Sequence, residues 1–245
     1  MRLDYAGLWN EALGLIRRNR AVVIALAGAM FFLPNLLVGY LAPLEPRAPG
    51  ISFLEAMIAH VREHWPMILA GGLIEMLGML TLLRLFLKAD GRTVGATIVA
   101  SLALLPTMFA SGFLTNMAVL AGLVLLIVPG IYLLGRLGLV PAAIVAENRR
   151  NPIDAIRRSV ALTRSRGFAI AWVFVALFIL AAIADMAVSG SLGSVAILLA
   201  GRDLGLLIAE AAGAIVWAAA SVLQAALATG LYQRLAEATT RPASA

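Results

Sequence analysis

Six long apolar runs, at about 21–43, 66–88, 106–128, 130–146, 167–188 and 205–232, fix the solvent in which this chain must fold. Five of them exceed the roughly 20 residues that a helix needs to cross about 30 Å of hydrocarbon. Lipid offers no water to the backbone, so each run must satisfy its own amides as a helix. With 62% hydrophobic and 13% charged residues in a chain of 245, an ordinary soluble domain is excluded. The expected fold class is an all-α integral membrane protein, a six-span bundle forming one polytopic domain over 1–245.

The third and fourth runs are separated only by Pro129-Gly130, which reads as a tight turn. Proline cannot continue a helical hydrogen-bond ladder, and glycine accepts unusual dihedrals. A single broken helix, giving five spans, is the alternative reading.

The net charge of +6 comes from 18 Arg and one Lys against 13 acidic residues. Its sign invites a nucleic-acid partner, but most of the arginines flank apolar runs, which is how membrane topology is written. With the N-terminus inside, fifteen basic residues fall on the cytoplasmic side, from Arg2, Arg17, Arg18 and Arg20 through Arg84, Lys88 and Arg92 to Arg234 and Arg241. Only Arg47, Arg62 and Arg202 fall outside, so both termini are expected in the cytoplasm. The first twenty residues are broken by Asp4, Glu11 and paired arginines, unlike a signal peptide. The chain has no cysteine, which excludes disulfides and thiolate chemistry.

A repeat is also legible. "LDYAGLWNEALGLIRRNR", "GRTVGATIVASLALLP" and "NPIDAIRRSVALTRSR" each form a helical stretch leading into a pair of apolar runs. The implied module is one amphipathic cytoplasmic surface helix followed by two spans, used three times. Tyr5, Leu8, Trp9, Ala12 and Ile16 share one stripe of the first helix, and Ile153, Ile156 and Val160 one stripe of the third. Asn151-Pro152 is a good helix start. Between the first two runs, "ISFLEAMIAHVREHWP" reads as a separate interfacial helix on the outer face.

Four charges interrupt the runs: Arg136, Glu75, Glu210 and Asp185. At ~1.5 Å of rise per residue they lie about 5–13 Å from the outer ends of their spans. Arginine cannot lose its proton, so Arg136 requires a partner, and Glu75 is the first choice with Glu210 second. These four either form ion pairs that orient helices, with Asp185 snorkelling to the interface, or line a polar cavity for a headgroup or small solute. Arg157 and Arg158, inside the third surface helix, are candidates for contact with anionic lipid headgroups. "HVREH" gives His60, Glu63 and His64 the spacing of a zinc-peptidase motif, but no third histidine exists to complete a ligand set. No P-loop, dinucleotide fingerprint or nucleophile elbow occurs in a plausible setting, so no cofactor is expected.

"LLIVPGIYLLGRLGLVPAAIVAENRRNPIDAIRRSVALTRSR" resembles the signature of the glycerophosphodiester phosphodiesterase membrane-domain family and its bacterial inner-membrane relatives. The residues that carry the likeness are Pro129, Gly130, Ile131, Arg136, Pro141, Glu147, Ala155, Ser159, Leu162, Thr163 and Arg166. The resemblance implies a multi-span helical bundle in a bacterial inner membrane and a lipid-related role. It transfers no catalytic residue, since the chain to Ala245 leaves no room for a phosphodiesterase barrel. The expected function is non-enzymatic and lipid-associated: binding, organising or moving phospholipid, or scaffolding a partner. A small-solute transporter and a membrane-embedded enzyme are the alternatives.

Overall fold

The computed structural model describes residues 4–43, 50–88, 91, 93–164 and 166–240. Arg2, Arg47, Arg92 and Arg241 of the charge pattern lie outside the described residues. Six helices are long and apolar enough to cross a membrane: Arg20–Leu41, Phe53–Leu87, Leu105–Leu125, Ile127–Ala146, Gly167–Ala200 and Arg202–Thr239. No strand occurs among the described residues. The chain is an all-α helical bundle with membrane-spanning capacity.

The order of elements follows the proposed module. Surface helix α1 (Tyr5–Arg18) leads into α2 (Arg20–Ala27), a π-helical turn at Gly28–Phe32, α3 (Leu33–Leu41) and α4 (Phe53–Leu87). Helix α5 (Val94–Leu102) leads into α6 (Leu105–Leu125), α7 (Ile127–Leu137) and α8 (Val140–Ala146). Helix α9 (Pro152–Leu162) leads into α10 (Gly167–Ala200) and α11 (Arg202–Thr240). Each leading helix is capped by a side chain that accepts a backbone N–H: Asp4 from Gly7, Thr93 from Ala96 and Asn151 from Ile153.

Packing closes the three units into a ring. Each leading helix lies on the last helix of the preceding unit: α5 on α4, α9 on α8, and α1 on α11. The unit-closing helices α4, α8 and α11 touch one another in pairs. Leu80, Leu82 and Leu83, Ile144 and Val145, and Leu227 and Leu231 are fully buried there. In α9 the buried stripe is Ala155, Ser159 and Leu162, while the predicted Ile153 is exposed.

Proline sets the breaks. Its ring clashes with the carbonyl four residues back, and α5 and α7 end at Leu102 and Leu137, four residues before Pro106 and Pro141. In the first span Pro34 is accommodated differently: the π turn at Gly28–Phe32 widens the ladder just before it.

The turn between the third and fourth apolar helices differs from expectation. It lies at Leu126, whose backbone is extended (φ −160°, ψ 138°), and Pro129-Gly130 falls within the first turn of α7. The ladder begins with Gly130 N donating to the Leu126 carbonyl at 3.3 Å, so Pro129, one position earlier, loses nothing by lacking an N–H. Gly130 has no positive φ. It is small because α6 and α7 pack closely, and a Cβ on Gly122 would stand 3.0 Å from the Gly130 Cα. The result is a hairpin of two helices, which removes the broken-helix alternative.

Three further boundaries move. The segment 53–65 is no separate interfacial helix but the start of α4, fixed by a capping box between Ser52 and Glu55. The fifth helix runs on past 188 to Ala200 and turns at Gly201. Helices of 35, 34 and 39 residues in α4, α10 and α11 measure about 50–60 Å, so they tilt or emerge from a ~30 Å core. The fourth apolar helix bends at Gly138-Leu139. Its first part meets α10 in matching order, with Tyr132 on Phe168, Gly135 on Ala171 and Gly138 on Phe174, which a straight antiparallel neighbour would not do.

Candidate functional site

Three of the four intramembrane charges converge. Glu75 of α4, Asp185 of α10 and Glu210 of α11 line a single cavity of about 440 Å³, together with Asn35, Gly39, Gly71, Gly72, Gly213 and Trp217. Asn35 is presented just after the π turn. Its Nδ2 donates to the Phe31 carbonyl at 2.9 Å and to Glu75 Oε1 at 3.0 Å. Trp217 Nε1 donates to Asp185 Oδ2 at 3.3 Å, and Ser189 Oγ to Asp185 Oδ1 at 3.1 Å. Glycine makes the room: a Cβ on Gly39 would run into the Glu210 carboxylate, and one on Gly213 would stand 2.7 Å from Asp185 Oδ1. Among the described residues no lysine or arginine lines this chamber. In their ionised form these three half-buried carboxylates favour a positively charged occupant.

A second chamber of about 460 Å³ lies where the three units meet. Met76, Met108, Leu134, Phe174, Leu177 and Phe178 make it mostly apolar, with Asn116 and Gln224 among its few polar groups. Trp217 lines both chambers, its ring 5.6 Å from that of Phe178. Its indole N–H addresses the acidic chamber while its ring borders the apolar one.

Arg136 is absent from this cluster, and the expected pair with Glu75 does not form. Its Nη1 donates to the Tyr132 hydroxyl at 3.2 Å and to the Arg164 carbonyl at 2.9 Å, and its guanidinium lies 5.6 Å from the Tyr132 ring centre. Its own carbonyl accepts from Ser159 Oγ at 2.8 Å and Thr163 Oγ1 at 3.2 Å. The bend after Leu137 brings the residue to the α9–α10 junction rather than to the carboxylates. Asp185 does not snorkel from a nearby helix end either, because α10 continues to Ala200.

Arg158 is also engaged. Glu147 takes bonds from Arg158 Nε at 2.5 Å, Arg149 Nε at 2.6 Å and the Tyr232 hydroxyl at 2.7 Å. Burial opposes the charge of Glu147, but the hydrogen bonds from Tyr232, Arg149 and Arg158 outweigh it and hold the carboxyl below its ordinary value. Arg157 is exposed. The forty-residue signature therefore encodes a joint: Arg136, Ser159 and Thr163 clasp one side, and Glu147 ties the other to α11. His60 and His64 stack edge to face at 5.1 Å, and no group of three metal-ligating side chains occurs among the described residues.

Sequence reasoning missed Asn35, Trp217 and Arg84. Asn35 follows a proline inside an apolar helix, a signal that was available; Trp217 and Arg84 carried none. Arg84, counted with the cytoplasmic charges, is buried at 7% exposure. Comparison with protein-family models, with curated proteins and with solved structures finds no match.

Proposed function

We propose that this protein binds a membrane amphiphile whose headgroup carries an ammonium and whose tail is apolar, with a zwitterionic amine-bearing phospholipid, its phosphate held outside the carboxylates, as the class, and that it does so without catalysing a reaction. The observation that carries the reading is Trp217, the shared wall of an acidic chamber and an apolar one. A head carrying an ammonium answers Glu75, Asp185 and Glu210. A hydrocarbon chain matches the apolar walls of the second chamber, Met76, Met108, Leu134, Phe174, Leu177 and Phe178. The excess of arginine beside one set of helix ends supports both termini on the cytoplasmic side, and a bacterial inner membrane is the location proposed with it.

Transport of a lipophilic cation is the second reading, favoured by acidic groups on three different helices around one cavity. Fluorescence tests the shared site. A long-chain alkylammonium amphiphile should quench wild-type tryptophan emission in uncharged detergent, and Trp217→Phe should abolish that change. An alkyl sulfate of equal length should quench little. Equal quenching by both amphiphiles, or quenching that survives Trp217→Phe, would reject a cation-selective site here. Accumulation of the alkylammonium inside proteoliposomes would favour transport over binding alone.

A further inference from the structure

Arg84 lies in the last turn of α4, where Leu80, Leu82, Leu83 and Phe86 are buried around it. It is 7% exposed, and its Nε and Nη1 make no hydrogen bond among the described residues. A guanidinium stays charged in any protein environment, and an isolated buried charge is among the most costly arrangements a fold can contain. The α4 C-terminus lends it partial negative charge but supplies no bidentate acceptor. Helix α5 packs on α4, and its buried face presents Thr97 and Ser101. Thr97 Oγ1 is spent on the Thr93 carbonyl at 3.0 Å. Ser101 Oγ is wholly buried and also without a partner.

We infer that Arg84, with Ser101, is the receptor for a phosphate-type anion at the α4–α5 interface. The guanidinium fork matches two oxygens of a phosphate or phosphodiester, and a serine hydroxyl serves a third. A neutral acceptor would satisfy the donors but leave the charge uncompensated, which selects an anion. The outer face of α5 exposes Val94, Val99 and Leu102, a surface suited to lipid rather than water. The same chemistry is offered by a phospholipid headgroup and by free phosphate. This site shares no lining residue with the two chambers, so it stands or falls independently of the proposed function.

The test compares wild type, Arg84→Met, Arg84→Lys and Ser101→Ala, each purified in uncharged detergent. Phospholipid retained per protein is measured, as is the shift in Tm on adding phosphatidylglycerol micelles or inorganic phosphate. Wild type should retain anionic phospholipid and be stabilised by it. Arg84→Met should lose about tenfold or more of that binding, the scale of one lost charge-assisted contact. Stabilisation by inorganic phosphate alone, lost in Arg84→Met, supports the receptor with a soluble ligand. Should Arg84→Met fail to fold, Arg84→Lys and Ser101→Ala decide, since each must bind more weakly than wild type. The inference is overturned if wild type responds to neither ligand, or if the folded Arg84 and Ser101 variants respond as wild type does.

Discussion

At the scale of single residues, the two arginines at depth exchange roles once the chain is folded. Arg136 looked like the charge in need of a carboxylate, yet a tyrosine hydroxyl and a backbone carbonyl satisfy it. Arg136→Leu should therefore destabilise the joint by about 1–3 kcal/mol, the range for losing hydrogen bonds from a charged donor. Adding Glu75→Leu should not recover the loss, and the two effects should add within about 0.5 kcal/mol because the residues share no partner. Denaturant unfolding of the single and double variants measures this; strong rescue in the double variant would restore the ion pair. Glu147 makes a second prediction. Its carboxyl is held below the ordinary value near 4.3, so its contribution is complete above that pH and is lost as pH falls through the lower folded-state value. The Tm of wild type should decline over that acid range, and Glu147→Gln should show a lower Tm at neutral pH with a shallower acid decline. The three carboxylates were legible as intramembrane charges, but their company was not, because sequence gives depth along a helix and not the face it turns to its neighbours. Trp217, one apolar residue among many along α11, carried no mark of its place between two chambers.

At the scale of elements, hydropathy found every long helix and misplaced several of its ends. The cause is local in each case. Pro129 was read as a breaker, yet a proline in the first turn of a helix is well tolerated, and the actual breaks fall four residues ahead of Pro106 and Pro141. Gly130 was read as a turn residue, whereas its lack of a side chain permits the close contact with Gly122. Gly201 is the glycine whose conformation matters: at φ 84° and ψ 171° it closes the α10–α11 hairpin in a region that L side chains rarely enter. Gly201→Ala should lower stability by about 1–3 kcal/mol, whereas Gly190→Ala, where a Cβ meets open space, should be nearly neutral or slightly stabilising. Unfolding of the two variants side by side checks the hairpin; equal effects would contradict it.

At the scale of the molecule, the repeat of one short helix and two long ones becomes a closed arrangement, since α1 packs on α11 as α5 does on α4 and α9 on α8. Arg234 fastens that closure, its Nε 3.0 Å from Glu11 Oε2 and its Nη1 3.1 Å from the Asp4 carbonyl. The two chambers arise from this ring. The acidic one opens between the first and third units, and the apolar one where all three meet. Neither could be read from any one segment, because each is made by helices far apart in sequence. The account rests on those chambers holding one amphiphile, and the lipids that remain with the purified protein report on it most directly. Mass spectrometry of wild type should find amine-bearing phospholipid retained in near-stoichiometric amount, with Asp185→Asn combined with Glu210→Gln folded but depleted of it by about tenfold or more. Retention of the same lipids by wild type and double variant, or of anionic lipids alone by both, would contradict it.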